Sequence, residues 1–400
     1  MEMQIKTIGV LLIIAAIVAM VARRFQFPYT VGLLFAGISL SLLPFIPSFE
    51  LTKELIFSLL LPPLIFEAAL FLKWKELKGV MPVVVVLASI GLFFSALVTG
   101  LGMYYLLDWP PVAAAIFGVL IAATDPVSVI ATFKEAGVKG KLHVLVQSES
   151  LFNDGIAAVL FSLVLAFAAG NAPTALGLTV DAILIIGGGI AAGAIVALAV
   201  LYLAGKTKDH MVELTFTTVA AYGSFFLAEH FHWSGVLASL TAGLIVGNRG
   251  PLGAISDKGR EAVEAFWEFA AFIVNSLIFI LIGIHEAKQA FSAVLIPSLL
   301  AIVLVVFGRA FAIYPLAALF TKSKYNISTK HQHILVWGGL RGALALALSL
   351  GLPDTIPYRA EIITIAFAVV AFSVVVQGLT ITPLMRKLGL LEKDVDDVSH

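Results

Sequence analysis

The chain has 400 residues, 60% of them hydrophobic and only 12% charged, with a mean hydropathy of +1.04, whereas soluble domains carry about 25% charged residues. Its 25 basic and 25 acidic residues cancel, so no global field points to nucleic acid or to an acidic partner. Cysteine is absent, which excludes disulfides and thiolate metal sites and leaves the compartment open. These proportions describe an all-α polytopic membrane protein.

Hydropathy predicts about thirteen apolar segments, near 6–22, 28–45, 52–72, 79–107, 111–133, 142–169, 178–205, 211–230, 233–248, 263–284, 291–320, 332–352 and 358–384, read against the roughly 20 residues a membrane helix needs. The first is preceded by Glu2 and followed by Arg23 and Arg24, the reverse of a secretory signal, and reads as a membrane helix that starts outside. The third contains "LLPPLIFEAAL", with Glu67 beside two prolines. The fifth contains "ATDPVSVIATF", with Asp125 between Thr124 and Pro126. Pro126 has no N–H for the carbonyl of Ala122, and its ring drives Asp125 out of helical geometry. Segment five is therefore expected to unwind near its middle. The sixth begins "LHVLVQSESLFNDGIAAVLF"; helical spacing puts Ser150 and Asp154 on one face and Glu149 and Asn153 on the neighbouring one. The seventh carries "GGGIAAGAIVALA" at 187–199, small residues suited to close helix packing. Segment eleven holds Arg309 in "VVFGRAFAIYPL", and segment twelve holds Arg341 among three glycines in "VWGGLRGALALALS".

The basic residues give orientation. Nineteen lie in the loops after odd-numbered segments and in the C-terminal tail, against four, Lys6, Lys53, Lys288 and Arg359, on the other side. By the positive-inside rule the N-terminus is outside and the C-terminus cytoplasmic. Trp74, Trp109 and Trp233 sit at segment ends as interfacial anchors. The histidines also cluster toward segment ends, His230 and His232 outside and His331 and His333 inside, where interfacial hydrogen bonding is their expected role.

Arg309, Arg341, Asp125, Glu149 and Asp154 all fall within apolar segments. A charge there costs roughly 2.5–3.5 kcal/mol even on insertion scales, and such residues mark ion and proton pathways. Asp125 and Asp154 lie about 12 and 18 Å from the cytoplasmic ends of their segments at the 1.5 Å helical rise. If segments 1–6 and 8–13 are inverted repeats joined by segment seven, segments five and twelve correspond, and paired helix interruptions are the best sequence pointer to a transporter's midplane site. Two carboxylates, two hydroxyls and freed carbonyls form an all-oxygen set that suits an alkali cation. Burial and mutual repulsion favour whichever partner cancels the carboxylate charge, cation or proton. A site that crosses the membrane only when neutralised exchanges one for the other without ATP. No nucleotide-binding P-loop sequence is present.

The motifs "ATDP", "ESLFNDG", "LLPPLIFEA", "FWEFAAFIVNSLIFILIG", "VVFGRAFAIYPL" and "GGLRGAL" together resemble the monovalent cation:proton antiporter-1 family, which holds the prokaryotic NhaP-type sodium/proton antiporters and related exchangers. The resemblance covers nearly the whole chain. It implies two inverted six-helix repeats with broken helices 5 and 12 crossing near the midplane. Residues 1–385 would form one transporter unit: a core domain from segments 4–6 and 11–13 (79–169 and 291–384) moving against a dimerisation domain from the others, in a homodimer. Residues 386–400 would be a short cytoplasmic tail. Carried over by motif, Asp154 and Asp125 are the principal cation and proton carboxylates, Ser150 and Thr124 supply oxygens, and Asn153 steadies the crossing. Glu149 pairs with Arg309 as a structural ion pair, with Arg341 an alternative partner, while Arg341 and Pro126 stabilise the helix breaks. The implied function is electroneutral Na+/H+ exchange in a cell membrane, serving pH homeostasis, with no cofactor, nucleotide or nucleic acid and with Li+ or K+ as other candidate cations. A cation-coupled symporter of a small solute and an intramembrane aspartyl protease are the rival readings. The protease signatures Tyr-Asp and Gly-X-Gly-Asp do not frame either aspartate.

Overall fold

The computed structural model describes residues 2–25, 27–42, 52–125, 129–130, 133, 138, 140–169, 175–250, 254–287 and 294–391. Among these residues there are helices and turns and no strand. Helices satisfy their backbone polar groups internally, as hydrocarbon requires.

In chain order the helices are α1 (Glu2–Phe25), α2 (Tyr29–Ser41), α3 (Leu55–Leu70), α4 (Trp74–Leu107), α5 (Pro111–Ala122), α6 (Lys141–Ala168), α7 (Ala175–Ala204), α8 (His210–His230), α9 (Gly235–Arg249), α10 (Asp257–Glu286), α11 (Leu295–Ala318), α12 (Thr329–Trp337), α13 (Ala343–Leu350) and α14 (Arg359–Lys387). Among the described residues, eight are long and apolar enough to cross a membrane, and α2, α3 and α5 are shorter apolar helices. Predicted segment two runs to residue 45, but α2 ends at Ser41. Residues 43–51 lie outside the described set. Segment twelve divides into α12 and α13, separated by the glycine-rich stretch 338–342.

Among the described residues, three helices contain a π-helical turn: Leu55–Leu60 in α3, Leu87–Gly91 in α4 and Ser373–Gln377 in α14. In α3 the turn comes just before Pro62 and Pro63. Those prolines offer no N–H to the preceding carbonyls, so the ladder widens there rather than continuing as α-helix. Such turns recur at functional sites.

Close approach of backbones organises the packing. The small-residue run of α7 lies against α9: a methyl group on Gly189 would come within 2.6 Å of the Ser234 carbonyl oxygen. Helices α2 and α10 meet at Gly37 and Gly283, where an added Cβ on Gly283 would come within 3.0 Å of the Gly37 Cα. Without a hydrophobic drive between helices in lipid, such close contact is what holds them. Helix α4 packs on α5 and α11, and α13 packs on α5 and α14. One apolar cluster includes Phe117, Leu120, Leu346 and Phe367 beneath these helices. A second surrounds Phe66 and Trp267, whose rings lie 4.6 Å apart. The Trp267 indole N–H donates to Thr217 Oγ1 at 3.0 Å, satisfying its one buried polar atom.

Candidate cation site at the helix breaks

Helix α5 stops at Ala122, and Ala123 is already extended at φ −57°, ψ 141°. Residues 123–125 are non-helical, and helical geometry returns at Val129 and Ile130. Pro126 lies outside the described residues. The second interruption spans 338–342, between Trp337 at the end of α12 and Ala343 at the start of α13.

The two interruptions touch. The Asp125 N–H donates to the Leu340 carbonyl at 2.7 Å, so each break supplies the partner that the other's lost helical turn would have provided. Gly342 lies directly against Asp125: a Cβ there would come within 2.5 Å of the Asp125 Cβ and 2.9 Å of its Oδ2. Only a residue without a side chain fits that contact.

Helix α6 supplies the other wall. The Thr124 N–H donates to Asn153 Oδ1 at 3.2 Å, and the Thr124 hydroxyl donates to Ser150 Oγ at 3.1 Å. Asn153 in turn donates through Nδ2 to Glu149 Oε1 at 3.2 Å. Asn153 thus ties the first break to the ion pair. Arg309 grips Glu149 through two 2.7 Å contacts, Nη1 to Oε1 and Nη2 to Oε2. Its Nε donates to the Leu335 carbonyl at 3.2 Å, near the end of α12. Arg341 donates through Nη1 to the carbonyl of Gly339, inside its own break. Thr124, Glu149, Ser150, Asn153, Asp154, Arg309 and Arg341 are all buried; Asp125 is half-buried.

A cavity of about 20 Å³ lies at the crossing, lined by Ala123, Thr124, Asp125, Leu151, Asp154 and residues 342–345, and closed by Leu61, Leu64 and Ile65 of α3. A water needs about 10–15 Å³ measured this way, so the space fits one or two water-sized particles. Asp154, one of these lining residues, has its Oδ1 buried without a hydrogen-bond partner among the described residues. A buried carboxylate oxygen left in that state is costly, and a cation or a proton removes the cost. Ser150 and Asn153 stand behind the wall and act on the cavity through Thr124. Glu67 is half-buried on α3, next to Ala68, whose carbonyl accepts from Gln147 Nε2 at 3.0 Å. The sequence reading missed Gly342 as a wall of the site, and Ser373 and Gln377 of α14, which bond to the second break. A serine and a glutamine four apart in the apolar run "FSVVVQGL" were the available signal.

A helical, multi-pass protein whose broken helices meet at a carboxylate-lined cavity has the build of a secondary transporter. This chain belongs to the sodium/hydrogen exchanger family: the family model described as "Sodium/hydrogen exchanger, transmembrane" matches residues 10–387. It is 40% identical over 370 residues to the Na(+)/H(+) antiporter ApNhaP of Aphanothece halophytica, covering 92% of this chain and 70% of that protein. It is 36% identical over 400 residues to the Na(+)/H(+) antiporter NhaH of Halobacillus aidingensis, covering 95% and 96%. Its fold matches the sodium proton antiporter MjNhaP1 from Methanocaldococcus jannaschii at a TM-score of 0.80 and 21% identity, over 98% of this chain and 99% of that one. The chain is a transporter rather than an enzyme, and the protease reading has no support.

Proposed function

We propose that this chain exchanges Na+ for H+ by alternating access, with both ions competing for Asp154 and Asp125 at the helix crossing. The observation that carries the reading is a buried Asp154 that lines a cavity shared with Asp125 and whose Oδ1 has no hydrogen-bond partner among the described residues. Thr124 supplies a further oxygen at the wall. Ser150 and Asn153 orient Thr124, and the Glu149–Arg309 pair holds the scaffold around it. Five ionisable groups occupy this region, three carboxylates (Asp125, Glu149, Asp154) and two guanidinium groups (Arg309, Arg341). With all five charged, the formal balance is one negative charge. One monovalent cation or one proton cancels it, and the neutral assembly is the form that crosses the membrane at least cost.

The remaining architecture follows the family. Segments 4–6 and 11–13 would move as a core domain, the other helices would form the dimerisation domain of a homodimer, and two inverted repeats of a thirteen-helix unit would relate the breaks. The protein would sit in the cell membrane with its N-terminus outside and its C-terminus in the cytoplasm, supported by the loop charge bias.

Proteoliposomes with an imposed Na+ gradient and an internal pH dye test the exchange. Sodium-dependent proton movement opposite to the Na+ flux is expected; its absence in vesicles whose protein retains its fold would overturn the proposal. Competition at one site makes a second expectation. As pH falls the proton occupies the same oxygens, so the half-saturating Na+ concentration should rise, by about tenfold per pH unit once the protonated site dominates. A half-saturation that stays flat across the pH series would mean separate sites.

Charge balance makes a third. If Asp154 alternates between one proton and one cation while Asp125 keeps a fixed protonation state, each cycle exchanges one positive charge for another. Clamping the membrane potential at zero or at negative values with potassium and valinomycin should then leave the sodium-driven flux unchanged after leak correction. A reversal gradient that shifts systematically with voltage would show two protons per cation, shared between coupled carboxylates.

A further inference from the structure

The backbone of the second break is satisfied by a relay from α14. In an uninterrupted helix the Arg341 N–H would bond to the Trp337 carbonyl four residues earlier. Here that bond is replaced by two side chains. The Arg341 N–H donates to Ser373 Oγ at 2.9 Å, the Ser373 hydroxyl donates to Gln377 Oε1 at 2.6 Å, and Gln377 Nε2 donates to the Trp337 carbonyl at 3.1 Å. The chain of donors runs in the same sense as the missing bond and bridges its two ends. A third contact from α14 holds the same edge: the Trp337 indole donates to Thr380 Oγ1 at 2.9 Å. Ser373 and Gln377 are 1% and 4% exposed, so no solvent supplies a substitute. They are the first and last residues of the π-helical turn in α14.

Resting on the exchange reading above, we propose that Ser373 and Gln377 are positioning residues for the cation site. The relay keeps the break open at a fixed width. Within that width lies the Leu340 carbonyl, which receives the Asp125 N–H, and at its edge lies Gly342 against the Asp125 side chain. Asp125 is therefore placed from α14, through backbone, without either residue touching the cavity. Without the relay, the Trp337 carbonyl and the Arg341 N–H seek each other, the turn tightens, and the Leu340 carbonyl leaves Asp125. Two side chains that act as one link should show one loss between them.

The test uses the purified full chain with Ser373→Ala, Gln377→Leu, the double variant, the hydroxyl-retaining Ser373→Thr, and Ser224→Ala as a control. Ser224 is equally buried and, among the described residues, its hydroxyl bonds only the Ala221 carbonyl of its own helix. Sodium affinity is read as the half-saturating NaCl concentration for thermal stabilisation, against choline chloride, and hydrogen exchange is read on peptides covering residues 338–342. Ser373→Ala and Gln377→Leu should each weaken Na+ affinity by about tenfold, the lower end of what losing an outer-shell partner costs an ion site. The double variant should lose no more, while Ser373→Thr and Ser224→Ala stay near wild type. Exchange should accelerate at 338–342 in the first three variants. Faster exchange with unchanged Na+ affinity would reduce the relay to a structural brace and overturn the proposal. Unchanged exchange would mean that no relay exists, and absence of Na+-dependent stabilisation in the wild type would overturn the inference together with the site. A wild type that binds Na+ yet moves no protons would instead remove the exchange reading and leave this inference to the affinity series.

Discussion

Asp154→Asn is expected to reduce sodium-driven proton flux to the passive leak of the vesicles while leaving the protein at least as stable as the wild type. An amide neither takes up a proton at neutral pH nor contributes the negative charge that a cation would cancel. The stability expectation comes from the same atom. Asp154 Oδ1 is buried with no hydrogen-bond partner among the described residues, so neutralising the group removes a desolvation cost and no observed bond of that oxygen. Function and stability should move in opposite directions, as they do where an active group is held in an unfavourable setting. Flux in proteoliposomes and thermal unfolding in detergent measure the two. Wild-type flux from Asp154→Asn would eliminate the proposed ion site, and a collapse in stability would show that the carboxylate is a structural group.

The second large effect concerns Glu149 and Arg309. Glu149→Gln and Arg309→Met should each cost about 3–5 kcal/mol, because either leaves its partner charged and buried without compensation. The double variant should recover part of that loss. Recovery will be incomplete, since Arg309 also donates to the Leu335 carbonyl and methionine cannot replace that bond, whereas the glutamine oxygen at 149 can still accept from Asn153. A double-mutant cycle on unfolding free energy measures the coupling directly. Strictly additive losses would show that Glu149 draws its compensation from Arg341 instead.

The membrane helices were legible because a span of about 20 apolar residues has few alternatives in a chain this hydrophobic. Helical spacing also carried local information: Glu149 and Asn153, four apart, are hydrogen-bonded to each other. Spacing says which side chains share a face and is silent on what the face meets. It therefore left Glu149 with two candidate arginines; the packing of α11 brings the fork of Arg309 against both carboxylate oxygens, a geometry that spacing along one helix does not reveal. The same silence hid Ser373 and Gln377, whose partners are backbone atoms 32 and 40 residues earlier that become available only once segment twelve breaks. Glycine was read as a helix breaker at 338, 339 and 342; that Gly342 forms a wall depends on the approach of Asp125 from another helix.

The cavity at the crossing is barely larger than one water needs, at about 20 Å³, and Gly342, Ala343 and Ala345 line part of it with the smallest side chains available. There is no slack in such a space. One added carbon at Gly342 would compete for the volume that the Asp125 carboxylate now occupies. Should the cation pass through this space as proposed, discrimination between a small cation and a larger one, and the vulnerability of transport to a single extra methyl group, would be two descriptions of one tight fit.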